Sequence, residues 1–173
     1  MKIVHSFATG AIFAILATTV SAETIRIAGN FATDHSSSEA MNIFKEELEA
    51  NSDFVVNVFP AQQMGGAAEN VQSVKVGAIQ MMWVGTAYLT RTVPELEAIS
   101  LPFQFSDRKT AFAVVDGPVG DMLDQKMVAQ GMTNLGYMEL GFRQLTNNIR
   151  PIEKVADIAG LRIRLQPNET LLA

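Results

Sequence analysis

Five short segments near the start of the chain constrain the fold most, because their hydrophobic periods switch back and forth between strand and helix. TIRIA (24–28) alternates and predicts a first strand. Ser36 and Glu39 then have capping-box spacing, and Met41, Phe44 and Leu48 fall on one face of a helix from about Ser37 to Ala50. FVVNVF (54–59) is β-branched and aromatic and ends at Pro60, which predicts a second strand. Gly65-Gly66 leads into a second helix from about Ala67 to Val76, with Val71 and Val74 inward and Gly77 just past its end. AIQMMW (78–83) is a largely apolar run and predicts a buried third strand. Strand-helix-strand-helix-strand is the order that right-handed crossovers in a parallel-rich α/β sheet require. Ligands of such sheets gather beyond the carboxyl ends of the strands, which here are Asn30, Phe59-Pro60 and Trp83 to Gly85.

Later segments are shorter. Asp107 is placed to cap a helix running to about Val115. Pro118 opens another, to about Gln130, with Val119, Met122, Leu123 and Met127 as its apolar positions and Gly131 closing it. TNLGYMEL (133–140) reads as a strand, FRQLTNN (142–148) alternates less cleanly, and Asn147-Asn148 suits a turn. A short helix is expected from Pro151 to Ala159. GLRIRLQPN (160–168) then alternates again, with Leu161, Ile163 and Leu165 on one face and Arg162 and Arg164 on the other. Two arginines on one face are either an ordinary wet surface or a grip for a carboxylate. The apolar end Leu171-Leu172-Ala173 carries no terminator, so a fragment is expected.

The opening MKIVHSFATGAIFAILATTVSAET has the layout of a secretory signal peptide, with Lys2, an apolar stretch from about Phe7 to Val20 and small residues before Glu23. That stretch is shorter than the roughly 20 residues a stable bilayer anchor needs. Cleavage after Ala22 and a periplasmic product without membrane insertion are therefore expected. The net charge of −5 excludes the basic footprint of a nucleic-acid binder. With no cysteine, neither a lipoprotein anchor nor disulfides are available. HExxH, GxSxG and GxxxxGK[ST] are all missing, and once His5 leaves with the signal peptide only His35 remains, which reads as an exposed loop residue. Glu46, Glu47 and Glu49 lie on a helix whose other side is apolar and read as solvated, while Glu69 suits the start of the second helix. No catalytic residue, metal or cofactor is assigned.

GFRQLTNN (141–148) followed by VADIAGLRIRLQPN (155–168) resembles the TRAP-transporter solute-binding proteins, the extracytoplasmic receptors of tripartite ATP-independent periplasmic transporters. Gly29-Asn30, FPAQQMGG (59–66), VGAIQ (76–80) and ISLPFQF (99–105) agree with it. The resemblance implies a truncated two-lobed α/β clamshell that closes on a small organic acid such as a C4-dicarboxylate. Residues 1–22 would be the signal peptide, 23–140 an incomplete first lobe and 141–173 the beginning of the second. It also implies ligand contacts: Arg164 on the carboxylate, Arg143 assisting, Asn168 just after the strand, and Asn30 and Trp83 from the first lobe. Where many relatives carry a polar residue, this chain has Gly85. The implied partner is a TRAP permease, although a ligand-sensing module for a signalling receptor and a secreted α/β enzyme are also compatible with the residues.

Overall fold

The computed structural model describes residues 22–166 and 168–172, so the predicted signal peptide lies outside the described residues apart from Ala22. Three strands, β1 (Thr24–Gly29), β2 (Val55–Phe59) and β3 (Met81–Trp83), form one parallel sheet in the order β2-β1-β3. Helix α1 (Ser36–Asn51) connects β1 to β2, and α2 (Ala67–Lys75) connects β2 to β3. Ile27 on the central strand lies between Val58 and Met81 of its two neighbours.

Alternation along β3 assigns its two faces. Met81 and Trp83 pack against the buried cluster Ile27, Met41 and Val56, to which α1 adds Phe44 and Leu48. Met82 and Val84 point the other way, onto a larger cluster that includes Val71 of α2, Leu89, Leu96, Leu123 and Met127. The sheet is thus covered on both sides, as parallel sheets require. Each fully buried aliphatic side chain contributes about 1.5–3 kcal/mol.

Local chemistry explains where the elements start and stop. His35, not Ser36, caps α1: its Nδ1 accepts the Ser37 N–H at 3.1 Å, and its ring stacks on Phe31 with centroids 4.3 Å apart. A histidine expected to sit free in a loop is therefore half-buried and structural. Glu49 also departs from the solvated reading. Its Oε1 accepts the Val56 N–H at 2.7 Å and Lys45 Nζ at 2.9 Å, joining the end of α1 to β2. The Val56 N–H first, then Lys45, hold this carboxyl below the usual carboxylate range. Glu69 Oε2 accepts the Gly66 N–H at 2.7 Å, the backward arm of a capping contact. Strand β3 is shorter than expected because the N–H groups of Ala78 and Ile79 fold back onto the Ser73 carbonyl, closing α2. Gly77, at φ +73, makes that reversal possible.

Beyond β3 the chain forms 3-10 turns at Thr86–Tyr88 and Pro94–Ser100, then α3 (Arg108–Val115), capped by Asp107, and α4 (Pro118–Val128). Of the four apolar positions expected to face inward on α4, Leu123 and Met127 do, whereas Val119 and Met122 are 38% and 45% exposed. The rotation follows from Gly120, which lies so close to α3 that a Cβ there would stand 1.8 Å from the Val115 carbonyl oxygen.

Two expected strands do not form ladders. Residues 133–140 and 160–165 have no strand partner among the described residues, and Leu135, Leu140, Ile163 and Leu165 remain exposed. A strand is defined by its neighbour's N–H and C=O groups, and neither segment has one alongside. The first is anchored through side chains instead: Asn134 Nδ2 and Tyr137 Oη both donate to Asp124 Oδ1. The expected helix over 151–159 is a 3-10 turn, Val155–Ile158. Asn147 does form a turn, its Oδ1 accepting the N–H groups of Ile149 and Arg150. The last element is α5 (Glu169–Leu172).

Candidate functional site

The carboxyl ends of β1 and β3 meet at the Gly29–Trp83 pair. At Gly29 a Cβ would lie 2.4 Å from Met41 Cε, so a larger residue there would displace the end of that buried side chain of α1. The loop after β2 is tied to the same edge: the Ala61 and Gln62 N–H groups donate to the carbonyls of Phe31 and Gly29 at 2.7 and 3.0 Å. Ala61 and Gln62 both hold positive φ, a strained pair kept in place by those bonds.

From this edge a wide hollow of about 2050 Å³ opens between the β3 exit and the later segments. Trp83 and Gly85 line it from the sheet side, and Arg143, Arg162, Arg164 and Gln166 from the other. Arg164 is solvent-exposed yet fixed: its Nη2 donates to Tyr88 Oη at 3.1 Å, across 76 residues of chain. Arg143 Nη2 donates to Gln166 Oε1 at 3.0 Å. Neither guanidinium faces a carboxylate among the described residues. Glu139, which also lines the hollow, pairs with Arg108.

Of the five residues implicated by sequence, the hollow brings together three: Trp83, Arg143 and Arg164. Trp83 serves twice, packing on the α1-side core and lining the hollow. Asn30 sits beside the rim residue Phe31, with both atoms of its amide buried and without a hydrogen-bond partner. Asn168 lies away from the hollow's lining and is 1% exposed; its Oδ1 accepts the Leu171 N–H at 3.1 Å and starts α5, while its Nδ2 has no partner. Tyr88 and Gln166 carry no sequence signal of their own, since only the fold brings them to the arginines. Among the described residues there is no cluster of histidine and carboxylate side chains able to hold a metal ion. No helix there is long and apolar enough to cross a membrane.

The guanidinium groups of Arg143 and Arg164 are each bonded to a neutral partner. A guanidinium presents parallel donors that match a carboxylate in plane and spacing.

Known proteins similar to this chain include periplasmic binding proteins. The C4-dicarboxylate-binding periplasmic protein DctP of Rhodobacter capsulatus is 31% identical over 119 residues, covering 68% of this chain and 35% of that protein. A TRAP periplasmic solute-binding protein from Polaromonas sp. JS666, solved bound to D-erythronate, superposes with a TM-score of 0.83 at 32% identity, over 87% of this chain and 50% of its own. The sugar acid binding protein DctPAm from Advenella mimigardefordensis, solved with galactonate, gives 0.84 at 33% identity, over 87% and 49%. The chain spans half or less of the length of the curated relatives it matches. Over that span it has the α/β fold of TRAP periplasmic solute-binding proteins, a truncated form of their clamshell. The sequence pattern of the DctP family covers residues 27–173, and the chain belongs to that family, the bacterial extracellular solute-binding proteins of family 7.

Proposed function

We propose that this chain is the ligand-capturing part of a periplasmic receptor that binds a small organic acid through Arg164, with Arg143 assisting, and delivers it to a TRAP-type membrane permease. It performs no chemical step. In this reading residues 1–22 are a cleaved signal peptide, 23–140 belong to the first lobe, and 141–173 begin the second. Trp83 and Asn30 contribute from the first lobe, and Asn168 from just after the segment that carries Arg164.

The observation that carries the proposal is that Arg143 and Arg164 both line the hollow while bonded to the neutral Gln166 and Tyr88, with no salt bridge to either among the described residues. Two guanidinium groups placed so are equipped for an anionic ligand. A charge-assisted hydrogen bond contributes about 1.5–3 kcal/mol, whereas micromolar binding needs about 8 kcal/mol. Arg164 therefore decides which charge is accepted, and closure around the rest of the ligand supplies the remainder. The ligands of the relatives support an organic acid and span two kinds, a dicarboxylate and hydroxylated monocarboxylates.

Titration calorimetry of the full-length receptor against C4-dicarboxylates and sugar acids tests the reading. At least one acid should bind, and Arg164→Ala should weaken it by about tenfold or more. Absence of binding to every acid, or a variant within about twofold of wild type, refutes it.

A further inference from the structure

Gln166 occupies space that the chain has left open at Gly85. Arg164 and Gln166, two residues apart, both line the hollow. A guanidinium only donates hydrogen bonds, so the Gln166 atom facing Arg143 Nη2 at 3.0 Å is the amide oxygen. This fixes which end of the amide points where. Gln166 Nε2 then projects toward Gly85, lying 3.2 Å from the position a Cβ would take there. Gln166 is half-buried, and its Nε2 has no acceptor among the described residues. Two N–H groups of a positioned amide therefore stand unused between the β3 exit and the arginine wall.

We infer that Gln166 sets the selectivity of the site for hydroxylated acids, its Nε2 donating to a hydroxyl oxygen of the ligand while its Oε1 holds Arg143. This rests on the reading of the hollow as an organic-acid site. The division of labour follows from charge: the guanidinium groups match the carboxylate, and a neutral amide donor matches a neutral oxygen. An acid without that oxygen leaves the amide desolvated and unpaired, which is how a polar site rejects an analogue. Gly85 belongs to the same device. A Cβ at this position would stand 3.2 Å from Gln166 Nε2 and push the amide back by a few tenths of an ångström, so the missing side chain on the β3 exit leaves the amide its full reach.

The test uses the full-length receptor and matched acids that differ only in hydroxyl groups: malate against succinate, and D-erythronate against butyrate. Calorimetry at one pH and salt concentration should find the hydroxylated member preferred. Gln166→Met should weaken that member about tenfold and the other by a smaller factor, through the lost hold on Arg143, so that the preference collapses. Gln166→Asn, which draws the amide back from Gly85, should have the same effect and guards against a misfolded first variant. Gly85→Ala should reduce the preference in the wild-type background and change nothing further in Gln166→Met. Equal losses for both members of a pair, or wild-type binding confined to non-hydroxylated acids, overturns the inference while the organic-acid reading stands. If no acid binds to the wild type, or if Arg164→Ala binds as well as wild type, the underlying reading fails and the inference fails with it.

Discussion

Replacing Arg164 with lysine separates geometry from charge at the proposed binding wall. The arginine is exposed and spends one donor on Tyr88 Oη at 3.1 Å, leaving the rest of its planar fork for a ligand. Lysine keeps the positive charge but cannot present two parallel donors while also holding the tyrosine. The point-charge component is small at such a position. At 4 Å in water-like dielectric it is about 1 kcal/mol, and lysine retains it. What is lost is one charge-assisted hydrogen bond of about 1.5–3 kcal/mol, equivalent to roughly 10- to 150-fold in affinity. Solvent exposure favours the lower end, so Arg164→Lys should weaken acid binding about tenfold. Tyr88→Phe, which removes a neutral acceptor and leaves the charge untouched, should cost about two- to tenfold. Calorimetry on the full-length protein at low and high salt checks both. If Arg164→Lys binds within about twofold of wild type, the site senses only charge, and the carboxylate-fork argument is refuted.

Three further outcomes follow from the packing. Leu123 is fully buried where α4 meets α2 and the 3-10 turns, so Leu123→Ala should destabilise the protein by about 2–5 kcal/mol in urea unfolding; a loss below about 1 kcal/mol would mean the cluster collapses around the gap. Glu49 is held below its usual value of 4.5, so its contribution is present above that pH and is lost as pH falls through the folded-state value. The stability difference between wild type and Glu49→Gln should therefore shrink on acidification, and a pH-independent difference would contradict the contact with Val56 N–H. Burial first, and the neighbouring Asp124 charge second, push the Tyr137 phenol up from 10.0 to about 12. Ultraviolet titration should show one of the two tyrosines ionising near that pH, moving down in Asp124→Asn; an unchanged titration would dissociate Tyr137 from Asp124.

The parts of the fold legible in the sequence are those decided within one segment or by one hydrophobic period. The three parallel strands, the Met41-Phe44-Leu48 face of α1, the Asp107 cap and the Gly77 reversal all belong to that class. Errors arose where a local rule had a competitor. Ser36 satisfies the capping-box spacing, but an imidazole nitrogen one residue earlier can accept the same kind of N–H, and stacking on Phe31 holds it there. AIQMMW is apolar enough for six strand residues, yet its first two are taken by the Ser73 carbonyl. Alternation in GLRIRL did not produce a ladder or separate two faces: Arg162, Ile163, Arg164 and Leu165 are all exposed and line the same hollow, because pairing is a property of two segments.

The same distinction explains which parts of the site could be named in advance. Arg164 and Arg143 are named through the family motif alone, since Arg162 shares the alternation of Arg164 and FRQLTNN hardly alternates. Tyr88 and Gln166 are chemically ordinary, and their roles exist only through contacts spanning 76 and 23 residues. Gly85 is the instructive intermediate. Read alone, it is the loss of a polar contact at the end of β3. With Gln166 Nε2 at 3.2 Å from its absent Cβ, it becomes a space already filled from the opposite wall. Selectivity in such a hollow is then a property of the pair, and a survey of side chains one position at a time would assign it to neither residue. A double-mutant cycle over positions 85 and 166 measures that coupling directly, since independent residues would give additive losses and a shared device would not.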